Sequence, residues 1–175
     1  MRRVAPVAIT VLVVAVTLVF AAWTQAQSPT ASPVASPFAS PAASPVASPV
    51  SCAGVQAWLT ATQARANQAA KIITDAVNPA KLSNQGLQAA AQQLRQLAAA
   101  QRAMATPPEA KAISQKIAGT LQAYADAISQ VASAVKSGNM DELNKGLTAV
   151  KDAGTQLQGT AQAVSDLATA CGAKM

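Results

Sequence analysis

Two cysteines, Cys52 and Cys171, constrain this chain more than any other feature. One stands where an Ala/Gln-rich stretch begins and the other where it ends. A pair at the two ends of a domain reads as a disulfide staple, and staples belong to compartments outside the cytoplasm. Two lone cysteines without close Cys or His spacing cannot complete a zinc site.

The stretch between them reads as helix throughout. Its apolar content is mostly alanine, the strongest helix former, while aromatic residues make up 3% of the chain and charged residues 11%. A core with so few large side chains relies on close helix approach. Helix one is expected from about Cys52 to Val77, stopped by Asn78-Pro79, with Cys52, Val55, Leu59, Thr62, Ala66, Ala69, Ile73 and Ala76 on one stripe. Helix two runs from Ser83 to about Ala105 on Leu87, Ala90, Leu94, Leu97, Gln101 and Met104.

Thr106-Pro107-Pro108-Glu109 reads as a capping box with proline at the first helical position, opening helix three. Its stripe is Ala110, Ile113, Ile117, Thr120, Tyr124, Ala127, Val131 and Ala134, widened by Leu121, Ile128 and Val135. Gly138 ends it and Asn139 caps helix four, with Glu142 three residues on. Helix four carries Met140, Leu143, Leu147, Val150, Gly154, Leu157, Ala161, Val164, Ala168 and Cys171, and Gly172 ends it.

Charged residues stay off these stripes, as in helices that pack along their lengths. Short connections make consecutive helices antiparallel neighbours. The expected fold is all-α: an antiparallel up-down-up-down four-helix bundle over residues 52–172, closed by Cys52–Cys171, with 173–175 as a tail. A long helical hairpin that completes its core by dimerising is the alternative.

Residues 1–26 read as a signal peptide. Arg2 and Arg3 precede an apolar run, and Thr24-Gln25-Ala26 places small residues where a signal peptidase cuts, after Ala26. An uncleaved membrane anchor is the second reading, and both put the rest of the chain outside the cytoplasm.

Residues 27–51 repeat Ser-Pro every four residues, from Ser28-Pro29 to Ser48-Pro49. Proline at that period excludes helix and sheet, so the segment reads as an extended, disordered linker. About 24 residues at ~3 Å each reach roughly 70 Å. A stalk that holds the domain off a membrane and a passive linker are both consistent with this.

Chemistry is constrained by what the sequence lacks. There is no histidine, which removes His-based triads, His-ligated haem and the common zinc sites. No Gly-rich phosphate loop is present. All the carboxylates are expected to face outward, and Asp141 and Glu142 fit the first turn of a helix, where the dipole favours acids. A formal net charge of +6, dispersed along the chain, is too mild for a nucleic-acid partner. Neither catalysis nor a cofactor or metal is therefore expected.

A few positions invite a closer reading. Tyr124 is expected in the core with Gly154 making room for its ring, and a small pocket lined by Tyr124, Thr120, Thr62 and Gln101 is the sharper alternative. Trp58 lies just off its stripe, at an inter-helix seam or as a contact for a partner. Lys111, Lys116, Arg95 and Arg102 read as solvated faces, or as a weak contact with an anionic surface.

The expected function is a non-enzymatic exported or cell-surface module that binds a protein or cell-envelope component. It touches a membrane only through its N-terminal segment, if that is retained. An extracytoplasmic small-ligand-binding bundle that acts with a separate partner is the alternative.

Overall fold

The computed structural model describes residues 52–76, 78 and 83–173. The leader with its cut after Ala26, the Ser-Pro linker 27–51, Val77 and Pro79 lie outside the described residues. Among the described residues the secondary structure is helical: α1 (Val55–Ala76), α2 (Asn84–Ala103), a 3₁₀ turn (Pro108–Ala110), α3 (Lys111–Ser137) and α4 (Met140–Ala170).

The helix ends follow local chemistry. Ser83 caps α2, its hydroxyl accepting from the Gly86 N–H at 3.0 Å. Gly138 closes α3 with φ +68°, a left-handed conformation that suits glycine, and Asn139 caps α4 by accepting from the N–H groups of Asp141 and Glu142. Glu142 turns away from the cap. Its carboxyl is held below the usual value by a hydrogen bond from Lys145, another from Gln130 and the Lys145 charge.

The expected capping box at Thr106 does not form. Proline occupies 107 and 108, so the chain makes a 3₁₀ turn before α3, and α3 has no side-chain cap. The Thr106 hydroxyl donates instead to the Met104 carbonyl at 2.9 Å. Helix one also starts later than Cys52: Gly54 at φ +80° turns the chain into α1.

The core follows the stripes closely. Val55, Leu59, Ile73, Leu87, Leu94, Ile117, Tyr124, Val131, Leu143, Val150 and Val164 are all buried. Several others, such as Met104, Ile113 and Leu147, are half-buried, and two large ones are exposed: Val135 is 47% and Met140 55% exposed. They flank the Gly138–Asn139 turn, beyond the level of Ala132, where α2 begins with the Asn84 side chain donating to the Ala132 carbonyl. A second set of buried positions lies beside the stripes. Ala91 and Ala98 of α2 and Ala118, Ala125 and Ala132 of α3 have no exposed surface. Spaced by sevens, these alanines form the seam along which α2 and α3 approach.

Side-chain pairs fix that seam's register. Asn84 reaches Ala132, Gln88 meets Ser129, Arg95 meets Asp126 and Gln101 meets Ser114. Residue numbers rise along one helix as they fall along the other. Helix α4 packs on α3, where Gly146 lies against Val131. Helix α1 packs mainly on α2 and touches α4 little. Its N-terminal end is held to the end of α4 by Cys52 and Cys171, whose sulfurs lie at disulfide distance and whose Cα atoms are 5.4 Å apart.

Candidate functional site

Two features stand out from the packed helices: a buried polar cluster and a groove beside the cysteine pair. The cluster centres on Gln101, which has no exposed surface. Its amide nitrogen donates to the Ser114 hydroxyl at 3.0 Å and to the Thr62 hydroxyl at 3.5 Å. Its carbonyl oxygen accepts from the Arg65 guanidinium at 3.5 Å, and Arg65 also lies against the Met104 sulfur. The Thr106 hydroxyl approaches Ser114 at 3.4 Å. A buried amide is costly unless its donors and acceptors are met. Here both ends are met, by residues of α1 and α3, so Gln101 ties three helices together.

Of the four residues considered for an internal pocket, Thr62 and Gln101 meet in this cluster. Thr120 and Tyr124 stand farther along α3, about 9 and 15 Å beyond Ser114 at 1.5 Å per residue. The Thr120 hydroxyl donates to the Lys116 carbonyl within its own helix. Tyr124 is buried, and burial pushes its phenol up to about 12. Ser114 is the member of the cluster that sequence reasoning missed. Its spacing from the stripe residue Ile117 was the available signal, since a residue three positions away shares the same face.

The groove lies where α1 begins. Gly54, Ala57, Trp58 and Ala61 line one side, and Met104, Ala105, Thr106 and Pro107 line the other, around a volume of roughly 430 Å³. Trp58 is buried to 2% exposure rather than partly covered at a seam. Its indole N–H has no hydrogen-bond partner among the described residues.

The charged groups are dispersed. Arg95 pairs with Asp126 at 2.9 Å, while Arg102, Lys111 and Lys116 are exposed. Glu109 departs from the outward pattern: it is half-buried, and one carboxylate oxygen is enclosed without a hydrogen-bond partner. Among the described residues no three His, Cys, Asp or Glu side chains gather as metal ligands, and no helix is long and apolar enough to cross a membrane. Compared with protein-family models, curated proteins and solved structures, the chain matches none of them.

Proposed function

We propose that this chain is a non-enzymatic module displayed outside the cytoplasm, an up-down-up-down four-helix bundle carried on a Ser-Pro spacer behind a signal or anchor segment. The observation that carries the reading is the cysteine pair. Cys52 and Cys171, separated by 119 positions, meet at one end of the helices. Such a bond persists in an oxidising compartment and is rare in the cytosol. The helix register supports the topology, because α2 and α3 pair with opposite sense and the ends of α1 and α4 are joined. The leader and the spacer give the chain a route out of the cytoplasm and reach beyond its surface.

The partner in this reading is a protein or a cell-envelope component. The test is to express the full chain with a C-terminal tag, fractionate the cells and capture envelope material on the tagged protein. The reading expects the tag in the extracytoplasmic or membrane fraction and a reproducible envelope component retained with it. A tag confined to the cytosol contradicts it.

The small-ligand alternative has less support, because the polar groups around Gln101 already meet one another. A melting shift across a metabolite panel that is lost in Gln101→Leu would favour that reading over the first.

A further inference from the structure

The groove at the start of α1 combines three properties. It is lined mainly by apolar groups, including a tryptophan and a proline. One of its lining residues, Trp58, is buried, and its enclosed indole N–H has no acceptor among the described residues. The groove also lies beside the point where the Ser-Pro segment joins the domain, since Gly54 lines it and Ser51 is three positions earlier.

Indole nitrogen donates and never accepts, so the unmet requirement at Trp58 is for an acceptor. A polyproline-II strand supplies acceptors readily, because it has no internal hydrogen bonds and every carbonyl is free. Aromatic-lined grooves are a recurring way of binding such strands, whose stiffness keeps the ordering cost low. We propose that this groove is a docking site for a polyproline-II strand, and that its occupant is the chain's own Ser-Pro segment, with Trp58 donating to a backbone carbonyl of one repeat.

The dimensions agree. From Gly54 to Ala61 the α1 side of the groove runs about 10 Å at 1.5 Å per residue. One four-residue repeat in the polyproline-II conformation spans about 12 Å. The chemistry agrees as well: residues 28–51 carry no charge, which suits an apolar lining, and they present proline rings, small alanines and valines. Tethering makes docking intramolecular, so even a weak contact is populated at the effective concentration a short linker provides. Met104 is the lining side chain able to give way as the carbonyl approaches Trp58, being unbranched and flexible. A docked repeat sets the angle at which the spacer leaves the domain. The inference does not depend on export, because it concerns two parts of one chain.

The test compares the full chain with a variant in which Pro29, Pro33, Pro37, Pro41, Pro45 and Pro49 are all replaced by alanine. These changes leave the bundle's own sequence untouched, and an unchanged melting curve of the helices checks that. In ¹⁵N-labelled protein the two tryptophan indoles give two signals, and Trp58→Phe identifies the one that belongs to Trp58. Docking predicts cross-peaks between the Trp58 indole N–H and proline-ring or valine-methyl protons. It also predicts solvent exchange of that N–H about tenfold slower in the native chain than in the alanine variant. Both effects must be independent of protein concentration. Equal exchange in the two proteins without cross-peaks overturns the proposal. Effects that grow with concentration overturn it too, by assigning the groove to a second copy.

Discussion

Gly146 of α4 and Val131 of α3 approach so closely that a methyl group on Gly146 would stand 2.8 Å from Val131 Cγ2 and 3.1 Å from the Val131 backbone nitrogen. The methyl side of that clash can rotate away, but the backbone side cannot. Overpacking of this kind costs about 1–3 kcal/mol, against roughly 1 kcal/mol gained when alanine replaces glycine in a helix. Gly146→Ala is therefore expected to lower stability by about 1 kcal/mol. Gly119 and Gly159 are helical, exposed and have nothing within 4 Å of an added methyl. Gly119→Ala and Gly159→Ala should raise stability by up to about 1 kcal/mol. Thermal melts of the three variants check the opposed signs.

Gln101 is expected to act through its polar partners rather than through its volume. Gln101→Leu keeps the volume but leaves the Thr62 and Ser114 hydroxyls without their amide partner in a buried place. The cost is about 1–3 kcal/mol, read from denaturant unfolding. Combining it with Thr62→Val and Ser114→Ala should recover part of that loss, since the polar groups left unpaired are then removed. A triple variant weaker than the sum of its parts would contradict the assigned network.

Tyr124 gives a pH dependence with a definite sign. Below the unfolded value of 10.0 the phenol is neutral in both states and contributes no slope. Between 10.0 and about 12 the unfolded chain loses this proton while the folded protein keeps it, so stability falls as pH rises through that window. Tyr124→Phe should flatten the alkaline limb of a plot of melting temperature against pH. Because Tyr124 is the only tyrosine in the chain, the tyrosinate absorbance band reports its titration directly. An unshifted midpoint would show that the ring is not buried.

Much of this fold was legible in the sequence. The caps at Gly138 and Asn139 are decided by residues close in sequence, and a local reading found them; Ser83 was read only as the start of its helix, although its capping of Gly86 is equally local. The stripes were legible because a helical period assigns each residue to a face. The alanine seam of Ala91, Ala98, Ala118, Ala125 and Ala132 was not. With alanine on every side of these helices, periodicity cannot say which alanines meet a partner. The full burial of Trp58 was not legible for a related reason. Trp58 sits one position off the stripe, and its burial depends on how α1 lies against the Met104–Pro107 connection, which no local pattern encodes. Val135 and Met140 fail in the opposite sense, since their phase is correct but they lie at the turn where the helices end. The cluster was half legible: Thr62 and Gln101 stood out as polar residues on apolar stripes, whereas the level of each residue along the bundle decided that Ser114, not Tyr124, would join them.

Helix α1 should respond first to reduction. It packs mainly on α2, and its start is secured by the bond from Cys52 to Cys171. Closing a loop of 119 positions is worth up to about 5 kcal/mol in the chain-entropy model. Reduction is therefore expected to lower the melting temperature while most helicity remains. Amide exchange should accelerate in the first turns of α1, with the α2–α3 seam still protected. Uniform acceleration across all four helices would contradict this order.

The account rests most heavily on the state of the two cysteines in the protein as cells make it. Thiols of the full chain, expressed with its leader, are blocked by alkylation at the moment of lysis, and the protein from each cell fraction is then mapped without reduction. The account predicts one cross-linked peptide pair containing Cys52 and Cys171, recovered from the extracytoplasmic or membrane fraction. Two alkylated free thiols in a cytosolic protein would contradict it.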